Sequence, residues 1–408
     1  MPSPQAGAWK STAAPVLLLG VLFLGYLVYS ADRYVLNTLL TPIQGTLHLT
    51  GFEVGLLGAA IYGGVLSTVF IAGHLSDRYG RWPVVILGLA VFTAFTWLIG
   101  FSSDFAEAFT FRLVSGMGEG IFWPVAMAAV ATYFSQRKGL ALGIFYVGFD
   151  IGGIVGTSVA GLVFYLASDW RQAFFVAPSI GLIAIAGALY AKRKFPWSEE
   201  DSQRIRLGKD AVDLLRRRGT VTIMVFALLA TWATVWQPVF LVYYFNKVMN
   251  IGVTYAALLA TPVLAAGALG KISLGSVSDR WRRDRLLVAV TVATLLSYAV
   301  FFESNFLLVN ELAALSMGFF SSSIFPVMQA LAVDQSQGRP GTTLGLTTTA
   351  QSIATILAPS TTGAMFALGV GRAVALEAMI PAVLTVAVAL FLKEPRIKSR
   401  KASEMRSE

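Results

Sequence analysis

The chain of 408 residues has no cysteine, only two histidines and few charges. Without cysteine there is no disulfide framework or thiolate nucleophile, and His48 and His74 alone make a histidine-based metal site implausible. Charged residues make up 13% of the chain, about half of the roughly 25% typical of soluble domains. This shortage argues against a soluble enzyme, a nucleic-acid-binding protein and a disordered scaffold, so we expect no cofactor, no metal and no nucleic-acid partner.

Apolar residues, by contrast, make up 56% of the chain and the mean hydropathy is +0.69. A helix that crosses a bilayer needs about 20 mostly apolar residues. Twelve such stretches are present, at 16–45, 52–75, 83–103, 107–134, 139–167, 171–191, 219–246, 254–277, 285–303, 306–333, 341–369 and 371–393. We therefore expect an all-α polytopic membrane protein with two six-helix halves, 1–191 and 219–408, joined by a linker at 192–218.

The positions of Lys and Arg predict the orientation in the lipid bilayer. Most of the 31 basic residues fall on the side that holds both termini and the central linker, and three fall on the other side: Arg171, Lys247 and Arg372. Loops rich in Lys and Arg stay in the cytoplasm. The net charge of +9 is therefore explained by topology. We expect a monomer in a bacterial or archaeal cytoplasmic membrane, with both termini cytoplasmic.

The two halves repeat each other at an offset of 202 residues. Residues 73–78 read Gly-His-Leu-Ser-Asp-Arg and residues 275–280 read Gly-Ser-Val-Ser-Asp-Arg. The same offset takes Gly116 to Gly318 and Pro124 to Pro326. Parallel repeats of this kind are typical of transporters whose substrate site lies between the halves, near the middle of the membrane.

The first copy of this loop, at 73–81, reads G-x-x-x-D-R-x-G-R and resembles the signature loop of the major facilitator superfamily. The resemblance implies the superfamily fold. It also implies a conformational latch that stabilises the outward-open state and breaks for inward opening. The latch residues would be Gly73, Asp77, Arg78 and Arg81, with Gly275, Asp279 and Arg280 in the second copy. Arg282 replaces the second glycine of the motif there, so the second copy departs from the pattern.

Six ionisable residues are candidates for positions deep inside the predicted spans: Asp32, Arg33, Arg112, Glu119, Asp150 and Lys271. Each costs about 2.5–3.5 kcal/mol at the centre of a bilayer, so such residues usually serve function. Arg112 and Glu119 are two helical turns apart on one face, whereas the adjacent Asp32 and Arg33 point about 100° apart. An acid that is deprotonated competes for a neighbouring arginine, and the same acid when protonated frees that arginine for an anion. The alternative is that these charges only hold helices together, with Asp150 neutralising Arg112.

Two family resemblances follow from these residues. Asp32-Arg33, with the pattern R-x-x-x-G-x-G-E-G-x-x-x-P over 112–124, resembles the anion:cation symporters. That resemblance implies that Arg33 and Arg112 hold a substrate carboxylate while Asp32 and Glu119 handle protons. Asp150 is a further proton-handling candidate because of its place inside a span. The run from Asp32-Arg33-Tyr34 to Ile43-Gln44 also resembles Spinster-type lipid transporters, and the shared residues do not separate the two.

Three further residues are candidates for substrate binding. Lys271, one turn before Gly275, resembles the cation that monocarboxylate carriers use to hold a carboxylate. The alternative is that Lys271 reaches to the membrane surface. Tyr62 and Gln351 are polar residues on spans that line the cavity in the superfamily.

The sequence thus predicts a secondary active transporter that moves a small organic anion, a monocarboxylate or sugar acid, together with protons. A Spinster-like carrier of lysolipid, amphiphile or drug is the alternative. A membrane receptor or enzyme is a third class. It lacks support, because no metal cluster, nucleophile–histidine pair or extramembrane domain is visible in the sequence.

Overall fold

The computed structural model describes residues 13–134, 138–194, 215–278, 280–304, 306–335 and 340–393, and the secondary structure of these residues is helical. The helices are α1 (Ala13–Thr38), α2 (Leu40–Leu47), α3 (Gly51–Tyr79), α4 (Arg81–Ile99), α5 (Phe105–Tyr133), α6 (Lys138–Ala167), α7 (Arg171–Val176), α8 (Ser179–Lys194), α9 (Arg218–Thr234), α10 (Trp236–Lys247), α11 (Val253–Ser278), α12 (Arg283–Glu303), α13 (Leu307–Gln335), α14 (Pro340–Ala364), a 3₁₀ turn (Met365–Leu368) and α15 (Val370–Ala389).

Within the described residues, eleven helical segments are long and apolar enough to cross a bilayer. The twelfth predicted span, 341–369, corresponds to α14, a 25-residue helix rich in Thr and Ser. Its length suffices to cross the hydrocarbon core, since each residue adds about 1.5 Å. The predicted polytopic all-α class is confirmed, and the chain is an integral membrane protein.

Three predicted spans are interrupted helices. The breaks fall at Leu39 between α1 and α2, before Ser179 between α7 and α8, and at Val235 between α9 and α10. A proline, Pro178 or Pro238, lies beside the second and third breaks. Proline has no backbone N–H and its ring clashes with the preceding turn, so a helix kinks or ends there.

The helices form two compact units. The first contains the described residues up to 194 together with Thr234–Ala268 and Thr355–Ala378. In it α5 packs against α3 and α4, and α1 packs against α6. A Cβ at Gly116 of α5 would clash with the Ile61 carbonyl oxygen and lie 2.9 Å from the Ile61 Cα, and one at Gly152 of α6 would lie 2.8 Å from the Ser30 Cβ of α1. Close packing at glycine therefore brings α1, α3, α5 and α6 together, as small residues do in membrane bundles.

The second unit contains Leu269–Ala354, the described residues from 215 to Ala233, and those from Met379 onward. Its core joins α9, α12 and α13 through residues such as Phe226, Leu287 and Met328. The buried hydroxyl of Tyr298 donates a hydrogen bond to the carbonyl of Ala233 over 3.0 Å. The predicted boundary at 192–218 stays a prediction, because most of that linker lies outside the described residues.

Candidate functional site

Two buried ion pairs join α1 to α5. Arg33 of α1 approaches Glu119, with 2.6 Å between Arg33 Nη2 and Glu119 Oε2. Asp32 of α1 approaches Arg112, with 3.4 Å between Arg112 Nη1 and Asp32 Oδ1. Adjacent residues on a helix point about 100° apart, so Asp32 and Arg33 reach different partners, as their spacing predicts. Helix α5 supplies both partners from one face, two turns apart.

Arg33 is held by aromatic groups as well as by the carboxylate of Glu119. Its Nε donates to Glu119 Oε2 over 2.7 Å, and its Nη2 donates to the Tyr29 hydroxyl over 2.5 Å. The guanidinium carbon lies 4.4 Å from the ring centre of Tyr29 and 5.0 Å from that of Tyr62. Tyr62, a predicted cavity residue, thus contacts Arg33. Cation–π contacts of this kind stabilise a desolvated cation without neutralising it.

Glu119 and Arg33 differ in how far their polar atoms are satisfied. Glu119 is fully buried, and its Oε1 has no hydrogen-bond partner among the described residues. Arg33 keeps 9% of its surface exposed. A buried carboxylate oxygen without a donor is costly. The Nε of Arg112 is also buried without a partner among the described residues, so the exposed fraction of the arginine separates the two pairs, 9% for Arg33 and 0% for Arg112.

Arg112, by contrast, is engaged along the α1 backbone. Its Nη1 donates to the carbonyl of Asp32 and its Nη2 to the carbonyl of Arg33, each over 3.2 Å. The carboxylate of Asp32 accepts a hydrogen bond from Ser115 over 2.8 Å, and Ser115 lies 3.0 Å from the hydroxyl of Thr96. Arg112 has no exposed surface. This network ties α1, α4 and α5 together.

The remaining predicted site residues lie elsewhere. Asp150 is partly buried in α6 of the first unit, and Arg112 donates hydrogen bonds to Asp32 and to the α1 backbone. Lys271 and Gln351 are partly buried in α11 and α14 of the second unit. No group of three or more acids or histidines within the described ranges is placed to hold a metal ion.

Several residues of the network were missed by the sequence analysis. Tyr29 is one helical turn before Arg33 and Ser115 lies between Arg112 and Glu119, so helical spacing identifies both once the charges are chosen. Thr96 lies on α4, which carries none of the chosen charges, so helical spacing does not identify it.

The set of six ionisable candidates was incomplete. Glu377 is buried in α15 and is hydrogen-bonded to Thr362 of α14, and Glu311 lies within the span of α13. Both acids fall inside the predicted spans and were overlooked there.

A sequence model of the Major Facilitator Superfamily matches residues 22–359. The chain belongs to the major facilitator superfamily. It is 25% identical over 399 residues to the 3-(3-hydroxy-phenyl)propionate transporter of Escherichia coli, which covers 94% of this chain and 95% of that transporter. It is 26% identical over 223 residues to Protein spinster of Drosophila melanogaster. That match covers 53% of this chain and spans 37% of spinster.

A solved structure shares the fold. The crystal structure of a bacterial homologue of the human lysosomal transporter Spinster, inward-facing and unoccupied, matches with a TM-score of 0.76 at 17% identity. The match covers 94% of this chain and 96% of that structure. This likeness establishes the fold class.

The backbone conformation of the signature loop explains why its second glycine, Gly80, is a glycine. Gly80, between α3 and α4, has φ +81°, a region that favours glycine. At the equivalent position Arg282 has φ −63° and pairs with Asp284, with 2.6 Å between Nη2 and Oδ2. The second copy of the loop therefore turns without a residue of positive φ at this position.

The latch prediction is only partly described by the structure. Arg78 is exposed, Arg81 and Gly275 are partly buried, and Arg280 is exposed. Asp279 and the side-chain environments of Gly73 and Asp77 lie outside the described part of the chain. The latch role stays a prediction.

Two close helix contacts lie in the first unit, near the start of α3 and the end of α6. In the first contact, α3 meets α14, where a Cβ at Gly55 would lie 2.9 Å from the Gly363 Cα. In the second, α6 meets α11, where a Cβ at Gly161 would lie 2.8 Å from the Ala257 Cβ. The offset of 202 relates Gly55 to Ala257 and Gly161 to Gly363. We call these two contacts the closure contacts.

Proposed function

We propose that this protein is a secondary active transporter that moves a small organic anion, a carboxylate, together with protons by alternating access. The observation that carries the proposal is the Arg33–Glu119 pair, 2.6 Å apart, in which Glu119 is fully buried and one of its oxygens has no hydrogen-bond partner in the described part of the chain. The chain's likeness to the Escherichia coli 3-(3-hydroxy-phenyl)propionate transporter supports a carboxylate as the substrate class.

The coupling follows from competition for one cation. While Glu119 is ionised it neutralises Arg33, and a second anion at Arg33 would leave excess negative charge in a low-dielectric site. When Glu119 takes up a proton, it no longer competes for the guanidinium. Arg33 then binds the substrate carboxylate, held in place by Tyr29 and Tyr62. One proton and one monoanion together add no net charge to the site.

Asp32 and Arg112 have a different part in this proposal. Nη1 and Nη2 of Arg112 donate to backbone carbonyls of α1, and the residue has no exposed surface. We therefore assign direct substrate binding to Arg33 and treat Arg112 as the residue that positions α1. Asp32 is a second protonation site, which weakens the hold of α5 on α1 when it is neutral. Asp150 is kept as a further proton-handling candidate, and Lys271 and Gln351 are kept as substrate ligands on sequence grounds.

The cellular setting belongs to the same proposal. Both termini lie in the cytoplasm of a bacterial or archaeal cell, because the basic residues concentrate on that side. The closure contacts then lie at the outer end of the first unit. The loop at 73–81 and its repeat at 275–283 act on the inner face, where Asp77, Arg78 and Arg81 form the latch and the second copy acts through Asp279 and Arg280. The protein works as a monomer.

The decisive experiment separates accumulation from exchange. Proteoliposomes with an inward proton gradient are given labelled phenylpropionate and a panel of sugar acids. Glu119→Gln keeps the size of the side chain and one accepting oxygen, but it is neutral and cannot cycle a proton. We expect this variant to lose gradient-driven accumulation and to retain exchange across the membrane. Ser321→Ala, at the equivalent position of the second half, is the matched control and keeps both. Unchanged accumulation in Glu119→Gln would remove Glu119 from the proton role.

A second experiment assigns the substrate cation. Arg33→Ala is expected to lose transport of the same acids, because the substrate carboxylate loses the cation proposed for it at the transport site. Wild-type transport in this variant would move the assignment to Lys271.

A Spinster-like carrier of a lysolipid or other amphiphile is the second candidate function. The likeness to Protein spinster favours it. The proteoliposome experiment discriminates the two: uptake of lysolipid with no uptake of any acid in the panel rejects the first proposal in favour of the second.

A further inference from the structure

A surface cavity of about 480 Å³ lies in the first unit beside one of the closure contacts. It is lined by α2, the start of α3, the end of α10, the end of α14 with the 3₁₀ turn, and the start of α15. Gly51 and Gly363, which touch each other across the contact between α3 and α14, are part of its wall. The cavity therefore exists only while α3 and α14 are together.

The walls of this cavity combine one cation with aromatic surface. Lys247, in the last turn of α10, lines it, and within the described residues no ion pair neutralises this lysine. Phe52 and Phe366 line it as well, and Phe366 stacks on Tyr243 with ring centres 5.5 Å apart and planes 7° apart. The hydroxyl of Tyr243 donates to Gln44 over 2.8 Å, which fixes the Tyr243 ring as a rigid wall.

We infer that this cavity is a second binding site, for an aromatic carboxylate. The carboxylate pairs with the ammonium group of Lys247, and the ring lies against Phe52 and Phe366. The volume accommodates a single substituted ring, and a small pocket with mostly apolar walls and one charged group is the usual form of a ligand site. The inference rests on the proposed organic-anion function, which supplies the ligand class, and it places this ligand at a site distinct from Arg33.

Occupancy of this site has a consequence for the conformational cycle. A ligand that touches both α3 and α14 binds only the conformation in which these helices are in contact. It shifts the population toward that conformation by its difference in affinity for the two conformations. Aromatic carboxylates outside the cell would thus hold the closure contact shut and slow turnover at high concentration. Such inhibition by excess substrate requires a site separate from the transport site.

The natural absence of cysteine allows a direct test. Ala367→Cys places one thiol in the cavity wall, and its reaction with a maleimide is followed in the detergent-solubilised full chain with phenylpropionate as the probe. At a probe concentration about ten times its dissociation constant, labelling slows about tenfold, because only empty cavities react. Ser103→Cys, exposed in the loop between α4 and α5, is the control thiol and is not protected.

Three changes decide the outcome. Adding Lys247→Gln is expected to raise the concentration for half-protection by about tenfold, the loss of one charge-assisted contact, while Lys247→Arg restores it. Propionate and the neutral phenylpropionamide protect less than phenylpropionate, because propionate lacks the aromatic ring and phenylpropionamide lacks the carboxylate. Protection that is absent, or that is indifferent to Lys247→Gln, overturns the inference.

The Arg33→Ala background separates the two proposals. Protection of the thiol in that background is expected to persist, since the cavity does not contain Arg33. If protection disappears with Arg33→Ala, it arises from occupancy at the transport site and the second site is rejected. If Arg33→Ala transports normally while protection depends on Lys247, the transport proposal fails and the second site stands. A ligand-induced thermal shift, compared between Lys247→Gln and Lys247→Arg in the cysteine-free chain, checks the result without the introduced thiol.

Discussion

At four equivalent buried positions, the first half of this chain has charged residues and the second half has neutral ones. The first half places Asp32, Arg33, Arg112 and Glu119 there, all no more than 9% exposed. At the offset of 202 the second half has Thr234, Val235, Ala314 and Ser321, which are also buried, with exposures of 8%, 4%, 0% and 2%.

This difference separates packing from function. Buried neutral residues suffice at these four positions in the second half, so helix packing of this kind does not require charge. Taking an ion pair out of water costs as much as its attraction returns, and apolar replacements are often as stable or more stable. The first half therefore carries its charges for a purpose other than stability, which agrees with the proposed coupling.

The largest expected effect is on the ion pair between Asp32 and Arg112, first with Arg112 replaced alone and then with both residues replaced. Arg112→Ala leaves the carboxylate of Asp32 buried without its cation, which costs about 3–5 kcal/mol. The double variant Asp32→Thr with Arg112→Ala introduces the two residues of the second half and leaves no unpaired charge. We expect the single variant to melt far below the natural chain in detergent and the double variant to recover most of the loss while failing to transport. A double variant as unstable as the single one would contradict the comparison.

A smaller effect is expected at the closure contacts. Ala257 is the counterpart of Gly55 in the second half, so Gly55→Ala introduces the same residue into α3. Its new methyl group would lie 2.9 Å from the Gly363 Cα. Because backbone cannot rotate away, overpacking of about 1–3 kcal/mol opposes closure. The transport rate should fall about fivefold to a hundredfold. Gly345→Ala, where a Cβ meets nothing within 4 Å, is the control and should transport normally. Full activity of Gly55→Ala would show that closure does not need this contact.

The smallest effect concerns the two copies of the signature loop. Gly80→Ala forces a side chain into a left-handed backbone conformation, at a cost of about 1–2 kcal/mol. Arg282→Gly at the equivalent position relieves no strain, because φ there is already −63°, and it loses the ion pair to Asp284. We expect Gly80→Ala to lower the melting temperature in detergent more than Arg282→Gly. The reverse order would show that the positive φ of Gly80 is not required.

Much of the fold and part of the site could be predicted from the sequence. Apolar runs, the offset of the repeat and the signature loop are local features, so the span count and the superfamily followed without a structure. The divergence of Asp32 and Arg33 also followed from helical geometry alone. The breaks near Leu39 and Val235 were missed, because an apolar run shows composition and not the continuity of its backbone hydrogen bonds.

The pairing within the site could not be predicted. Asp32 lies 80 residues from Arg112 and Arg33 lies 86 residues from Glu119. Which acid meets which base depends on the rotation of α5 against α1, and small-residue packing decides that rotation. The same holds for Tyr62, whose contact with Arg33 comes from the packing of α3.

The sequence by itself determined that this chain crosses a membrane repeatedly, in two related halves, with rare charges concentrated in the first. These properties depend on the hydropathy of single segments and on residue identity, which need no knowledge of neighbours. Only the tertiary structure decided that Arg112 is bound to the α1 backbone while Arg33 keeps exposed surface beside an incompletely bonded Glu119. That distinction depends on distances between helices far apart in the chain, because desolvation and hydrogen bonding are properties of the packed environment and not of the residue.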